Sequence, residues 1–221
     1  MSLALKQKLK IKRLFYIISI KIEALMQNSN LKIDIKNYLI YKFLNSLFLG
    51  LSVGSVFVLY TPLKPSIYSL GGIALAIGML IVAKLYPYIM TMEWFFRFSL
   101  FVELVIFAVI IYFLISPYTY FTALLIYIGY QVTFMFGSYL VRAETLALED
   151  DNKLSKVDMA KQIGYLAGML ISYIFYQILE SFYNITSKQT QVYDLHFVLL
   201  IVEVLIILFL FNSFKRDNQF N

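Results

Sequence analysis

Long apolar runs separated by short polar breaks make up the chain from residue 38 onward. Each of six such runs is close to the roughly 20 residues that a helix needs to cross a bilayer. A helix satisfies its own backbone hydrogen bonds in lipid, and the runs lack the alternation of transmembrane barrel strands. The pattern therefore predicts an all-α polytopic membrane protein with spans at residues 38–60, 67–89, 94–115, 119–146, 159–182 and 195–214.

The first 37 residues follow another pattern, in which basic residues interrupt short runs of Leu, Ile and Phe. The longest uncharged apolar run, residues 14–20, is too short to cross the hydrocarbon, and no Ala-x-Ala-like cleavage site follows it. Two interpretations stay open, a basic amphipathic segment on the inner membrane surface and an unstructured cytoplasmic tail. The predicted division is residues 1–37 for this segment, 38–214 for the transmembrane domain and 215–221 for a cytoplasmic tail.

Composition and the placement of charges also indicate that these apolar runs lie in the lipid bilayer. Hydrophobic residues make up 61% of the chain and charged residues 14%, whereas soluble domains are about 25% charged. Of the 19 Lys and Arg residues, all but Lys64 and Lys188 fall on the side of the N-terminus. The positive-inside rule therefore predicts cytoplasmic N- and C-termini in a bacterial inner membrane. It also accounts for the net charge of +6 without a nucleic-acid partner.

Residue types that carry metal and nucleophilic chemistry are scarce in this sequence. There is no cysteine, and His196 is the one histidine, so a zinc site or a Ser-His-Asp set has almost nothing to draw on. The sequence also contains no phosphate-binding glycine loop. We therefore expect no enzyme activity, no metal and no cofactor.

The two halves of the six-span region look related. A lone glutamate stands in a similar apolar setting in spans three and six, at residues 101–106 (Phe-Val-Glu-Leu-Val-Ile) and 201–206 (Ile-Val-Glu-Val-Leu-Ile). Spans two and five share Gly-Met-Leu-Ile, at residues 78–81 and 168–171. Because three helices per repeat is an odd number, the repeats would have opposite orientations, and such a 3+3 inverted repeat is typical of transporters.

Glycines are spaced for close helix packing. Gly50 and Gly54 form one Gly-xxx-Gly step, and Gly164 and Gly168 form another. Such steps let two helix backbones approach closely in a membrane. We expect these glycines to serve contacts within the chain rather than a dimer face.

Several stretches carry a family resemblance. Residues 50–62 contain glycines and end in proline, residues 67–81 contain three more glycines, and residues 142–176 join a polar loop to the glycine-bearing stretch 164–168. In this layout the region 38–214 resembles one six-helix half of a major facilitator superfamily transporter. That family carries a Gly-x-x-x-Asp-Arg type motif between its second and third helices, and the Asp-Arg pair is missing here.

The resemblance implies a transport role and an assembly. Members of that family normally have twelve helices, so a six-helix chain would act as a homodimer or with another membrane subunit. The hypothesis is a half-size transporter-like protein that moves a small solute across the inner membrane. Two alternatives stay open, a non-transporting membrane subunit of a larger complex and a substrate-capturing subunit of a multi-component transporter.

Polar and charged side chains within the spans are the candidate functional residues, because such groups are costly at membrane depth. Glu103 and Glu203 lie nearest the middle of their spans, where each is a candidate for proton coupling or simply a protonated group at a helix contact. Possible substrate contacts, which could equally be interhelical hydrogen bonds, are Asn45, Tyr130, Gln131 and Gln177. A predicted inner-face charge cluster comprises Lys84, Glu93, Arg97, Arg142 and Glu144.

Overall fold

A computed structural model describes residues 31–216, so the basic segment up to residue 30 and the tail beyond residue 216 lie outside the described part. Within this range the chain is helical apart from one antiparallel pair of short strands. The elements are β1 Leu31–Ile33, α1 Ile35–Ser52, α2 Val56–Leu59, α3 Pro65–Ile89, α4 Met92–Ile115, α5 Tyr120–Leu148, α6 Asp151–Ser181, α7 Lys188–Ser213 and β2 Phe214–Arg216.

Five helices of the described part, α3 to α7, are long and apolar enough to cross a membrane. They correspond to the second through sixth predicted spans, and they are compatible with an integral membrane protein. Helices α6 and α7 begin earlier than spans five and six were predicted to, because their N-terminal caps lie in the preceding loops. Asp150 caps α6 by accepting a hydrogen bond from the backbone of Asn152 at 2.9 Å, and Ser187 caps α7 in the same way.

The first predicted span is broken into two helices. Helix α1 ends at Ser52, three residues form a turn, and the four-residue helix α2 follows. The hydroxyl of Ser55 donates a 2.6 Å hydrogen bond to the carbonyl of Ser52, which occupies an acceptor that would otherwise continue the helix. Gly54, a poor helix former, lies in the turn. The prediction of one continuous helix over residues 38–60 is therefore wrong.

The most extensive helix contacts place the helices in the order α6, α1, α7, α4, α5, α3. The two end helices expose large apolar side chains, such as Leu70 and Leu80 on α3 and Leu166 and Leu170 on α6. Water does not favour such faces, whereas lipid tails solvate them as well as they solvate any hydrocarbon. The buried core lies along α1, α4, α5 and α7, between these two outer faces.

Glycines bring α1 and α6 into backbone contact. A Cβ atom added at Gly164 would meet the carbonyl oxygen of Phe43, and one added at Gly168 would meet the carbonyl oxygen of Leu47. From the other side, Gly50 lies equally close to the backbone of Tyr165. The Gly164–Gly168 step therefore serves a contact within the chain, as the sequence predicts.

A short strap joins the two ends of the described chain. Strand β1 pairs with β2, so that Ile33 lies opposite Phe214. Next to this pair, the carboxylate of Asp34 caps α1 by accepting hydrogen bonds from the backbone of Lys36 at 3.1 Å and of Asn37 at 3.4 Å. The same carboxylate forms an ion pair with Lys215. One side chain thus holds the start of α1 to the end of α7.

Loss of this side chain should be measurable and dependent on pH. An Asp34→Ala substitution removes the cap of α1 and should lower the free energy of unfolding by about 1 kcal/mol at neutral pH. The hydrogen bond from Lys215 lowers the pKa of Asp34, so its stabilising contribution is present above about pH 4. That contribution is lost as the pH falls through the lowered pKa.

Thermal unfolding of the wild type and the Asp34→Ala variant in mild detergent checks this expectation, since the two should differ at pH 7 and converge in acid. Asp34→Asn is the matched control, because it keeps a capping oxygen and removes the charge. An equal difference at both pH values would contradict the role assigned to the charged form.

Candidate functional site

Two glutamates are buried inside the bundle where α4 packs against α7. Glu103 on α4 is 3% exposed and Glu203 on α7 is 0% exposed. They lie close enough for their charges to interact. The fold therefore brings near each other the two glutamates that stand in similar apolar stretches of the sequence. Burying two interacting carboxyl groups is costly unless hydrogen bonds, a proton or a cation compensate their charges.

Helix α1 supplies hydrogen-bond donors to one member of this carboxyl pair, Glu103 and Glu203. The hydroxyl of Tyr41 donates to Oε1 of Glu103 at 2.8 Å, and Nδ2 of Asn45 donates to the same oxygen at 2.9 Å. Both donors are on one face of α1 because they are four residues apart. Sequence analysis selected Asn45 and missed Tyr41, although its position one turn before Asn45 was the available signal.

The other member of the pair has a different environment. Neither carboxyl oxygen of Glu203 has a hydrogen-bond partner among residues 31–216. The titratable groups that interact with it are Glu103, the hydroxyl of Tyr41 and the hydroxyl of Tyr130 on α5. A buried, unpartnered carboxyl group is stable only when a proton or a cation neutralises it.

A small internal cavity of about 10 Å³ lies one helical turn from the pair. Ile106 follows Glu103 by three residues on α4, and Leu199 precedes Glu203 by four on α7, and both line this cavity. Its polar lining residues are Tyr130 and His196, and the rest of its wall is apolar. His196, set aside in the sequence as too isolated for zinc, thus lies above the carboxyl pair.

The ring of His196 is held in place within the bundle. Its Nδ1 atom lies 2.7 Å from the carbonyl oxygen of Val192, one turn earlier on α7. Its face packs against Phe113, with ring centroids 4.0 Å apart. Among residues 31–216, no group of three or more acidic or histidine side chains is placed to hold a metal ion.

A buried ionic network lies at the end of the bundle where α1 begins and α5 ends, which we call the inner end. The carboxylate of Glu144 on α5 binds Nζ of Lys42 on α1 at 2.6 Å and also binds Lys161 on α6. The hydroxyl of Tyr38 donates a 2.6 Å hydrogen bond to the same carboxylate. The side chain of Glu144 therefore joins three helices, α1, α5 and α6.

The ionic network and the carboxyl pair are connected through α1. The rings of Tyr38 and Tyr41 lie 5.7 Å apart, and Nζ of Lys42 lies 5.3 Å from the centroid of each. Lys42 also interacts electrostatically with Glu103. A column of polar groups therefore runs from Glu144 at the inner end, through Tyr41 and the carboxyl pair, to the cavity below His196.

The inner-face charge cluster predicted from the sequence does not form as one unit. Lys84 and Arg142 are exposed, and the guanidinium of Arg142 lies 5.8 Å from the ring centroid of Tyr86. Only Glu144 of the five predicted members belongs to the ionic network. The reason is geometric, because the five residues lie on differently facing surfaces of α3, α4 and α5.

Glu93 and Arg97 find separate partners despite their four-residue spacing. Oε2 of Glu93 accepts a 3.1 Å hydrogen bond from the hydroxyl of Thr91, and the guanidinium of Arg97 stacks 5.0 Å over the ring of Trp94. The actual partners of Glu144, Lys42 and Lys161, were not selected from the sequence. The signal for Lys42 was present, since it is an isolated lysine within an apolar run.

The predicted substrate-contact residues separate in the structure. Asn45 and Tyr130 adjoin the carboxyl pair. Gln131 is partly buried, and its Oε1 atom has no hydrogen-bond partner within the described range. Gln177 is exposed on α6, away from the other three. The fold thus brings Asn45 and Tyr130 to one site and leaves Gln177 on the outer face.

No protein-family model matches the chain, and no curated protein or solved structure matches it. What the protein does is therefore inferred from its own residues. The carboxyl pair is the strongest candidate for a functional site, because buried carboxyl oxygens are rarely left without a hydrogen-bond partner.

Proposed function

We propose that this chain is a half-size, transporter-like integral membrane protein of the bacterial inner membrane. It moves a small solute as a homodimer or together with another membrane subunit. The observation that carries this proposal is the buried carboxyl pair at the contact of α4 and α7. Ionisable side chains at this depth are expensive and usually mark the path of an ion or a solute.

The packing pattern supports an inverted repeat of three helices. In such a repeat, α1 corresponds to α5, α3 to α6 and α4 to α7. The α1–α6 contact then corresponds to the α5–α3 contact, and the α1–α7 contact corresponds to the α5–α4 contact, and all four contacts are present. The α4–α7 contact corresponds to itself, and it holds the carboxyl pair. The shared Gly-Met-Leu-Ile stretches obey the same rule, since Gly78 faces Met135 of α5 and Gly168 faces Leu47 of α1.

A dimer or a second subunit follows from how such repeats work. Transport by inverted repeats proceeds when one bundle rocks against another around a midplane site. One six-helix unit provides one bundle, so the opposing surface has to come from another copy or another chain. The exposed apolar faces of α3 and α6 are compatible with either lipid or such a neighbour.

The orientation we propose places both termini in the cytoplasm. The inner end of the bundle then carries Lys42, Glu144 and Lys161, together with the strap around Asp34 and Lys215. Basic side chains are enriched on the cytoplasmic side of membrane proteins, which supports this direction.

Solute uptake into proteoliposomes tests the proposal. The purified chain is reconstituted, and radiolabelled amino acids, sugars and organic cations are offered as separate panels. We expect at least one panel to be taken up above protein-free vesicles, and Glu103→Gln to reduce that uptake by about tenfold or more, since it removes the buried charge. Glu149→Gln is the matched control, because Glu149 is exposed in the loop after α5.

Two results would argue against transport. Uptake at the level of empty vesicles for all panels, from a folded and monodisperse sample, would remove the basis for it. Stoichiometric co-purification with a larger membrane assembly in mild detergent would then favour the alternative of a non-transporting subunit.

A further inference from the structure

We infer that the carboxyl pair binds one proton, which is carried by Glu203, while Glu103 is the charged partner that α1 holds in place. This inference rests on the proposed function, in which the proton would be the coupling ion. It also specifies the ligand of the site and gives the two glutamates different roles.

The two carboxyl groups differ in the donors that surround them. Oε1 of Glu103 accepts two hydrogen bonds, from Tyr41 at 2.8 Å and from Asn45 at 2.9 Å. Donors directed at a carboxylate stabilise its charged form. Glu203 has no donor at either oxygen among the described residues, and it is fully buried. When environments separate two acids in this way, the one without donors holds the proton.

Three neighbouring helices bring titratable groups to Glu203, and all of these groups are compatible with a protonated Glu203. Helix α4 contributes Glu103, α1 contributes the hydroxyl of Tyr41, and α5 contributes the hydroxyl of Tyr130. The nearest cation on α1, Lys42, acts on Glu103 and is bound to Glu144. The positive charge is therefore directed at Glu103 and away from Glu203.

A proton suits this site better than a metal cation. Donors of Tyr41 and Asn45 point at Glu103, and their hydrogen atoms would repel a cation bound at the same oxygen. A metal ion also prefers several oxygen ligands, and residues 31–216 place no group of three acidic or histidine side chains together. One proton needs only one carboxyl oxygen, which Glu203 offers.

Polar groups lie on both sides of the pair along the bundle. Outward, Tyr130 interacts with Glu203 and lines the cavity that also touches His196. Inward, Tyr41 packs against Tyr38, whose hydroxyl donates to Glu144 in the ionic network. A coupling site in a transporter needs polar groups on both sides, because the ion must enter at one face and leave at the other.

Infrared spectroscopy of the purified protein tests this inference without any solute. A protonated carboxylic acid has a carbonyl stretch that is distinct from the bands of ionised carboxylates and amides. At neutral pH we expect this band in the wild type, its loss in Glu203→Gln and its retention in Glu103→Gln. Glu149→Gln should leave the band unchanged, since that side chain is exposed.

Other outcomes would overturn the assignment. One is the absence of the carbonyl band from the wild-type spectrum at neutral pH. The other is a carbonyl band that disappears in Glu103→Gln and persists in Glu203→Gln. If Glu203→Gln does not fold, the wild type and Glu103→Gln still decide, because both must show the band. A bound metal cation would give a different result. The wild type would then unfold at a higher temperature in sodium chloride than in choline chloride, and a folded Glu203→Gln sample would show no such difference.

The two proposals fail separately. A carbonyl band assigned to Glu203 together with no solute uptake would reject transport and keep the proton site. Uptake that persists without such a band would reject the proton site and keep transport.

Discussion

An alanine in place of Glu144 is expected to lower the free energy of unfolding by about 3–5 kcal/mol. The substitution removes the one carboxylate that joins α1, α5 and α6 at the inner end. It leaves the ammonium of Lys42 largely buried and without its ion partner, and it also removes the acceptor of the Tyr38 hydroxyl. Removing one partner of a buried pair is costly because the remaining charge stays desolvated.

Lys42 and Lys161 contribute unequally to this loss of unfolding free energy. The side chain of Lys42 is 14% exposed, whereas that of Lys161 is 26% exposed and retains Asp158 as a partner at 3.1 Å. Lys161 can therefore turn toward water and keep an ion pair when Glu144 is lost. Most of the expected destabilisation comes from Lys42, and a Lys42→Met, Glu144→Leu double substitution should recover much of it.

Unfolding of the purified protein by sodium dodecyl sulfate in mixed micelles measures this difference. Lys153→Ala is the control, since its pair with Asp150 is on the surface, with side chains 48% and 45% exposed. Such a pair contributes at most about 1 kcal/mol. Equal shifts for Glu144→Ala and Lys153→Ala would show that the ionic network does not hold the three helices together.

A methyl group at Gly168 is expected to lower the free energy of unfolding by about 1–3 kcal/mol, with a larger loss for the Gly164→Ala, Gly168→Ala double substitution. The new Cβ atoms would overlap the backbone carbonyls of Leu47 and Phe43, which no side-chain rotation can move. Helices α1 and α6 would have to separate, although they form the most extensive contact in the described fold.

Other helical glycines give matched controls for this expectation. A Cβ at Gly72 or at Gly137 would meet nothing within 4 Å, so alanine there should be neutral or stabilising by up to about 1 kcal/mol, because alanine favours the helix. Gly78→Ala should be intermediate, since its neighbour is the flexible side chain of Met135. The same micelle titration ranks the variants, and a Gly168→Ala effect no larger than that of Gly137→Ala would contradict a backbone contact.

The candidate site was partly visible in the sequence. Glu103 and Glu203 stood out because each is a lone carboxyl group in an apolar run, and the cost of burying such a group does not depend on which helices surround it. Tyr41, the hydrogen-bond donor to Glu103, did not stand out because the sequence has 18 tyrosines. Among residues 31–216, most tyrosines make no hydrogen bond to a carboxylate. Only the fold, which brings the hydroxyl of Tyr41 on α1 within 2.8 Å of the Glu103 carboxylate on α4, selects this tyrosine from the others.

The charged residues predicted to cluster at the inner face were, in contrast, mostly grouped incorrectly from the sequence. Lys84, Arg142 and Glu144 were grouped because they fall near one membrane face, yet only Glu144 points into the bundle. Position along the membrane normal can be read from the distance to a span end, whereas the direction of a side chain around its helix depends on neighbours that are remote in sequence. Lys42 and Lys161 are 17 or more residues away from Glu144, and folding alone brings them to it.

By itself the sequence determined which stretches are apolar enough to leave water, the long helices α3 to α7 and the two glutamates that are costly to bury. These properties depend on local composition and on the length of each run, and both can be read along one dimension. The tertiary structure alone decided which helices touch and which donors reach Glu103. Those features depend on which faces of distant helices meet, and that is a property of the packed bundle rather than of any single run.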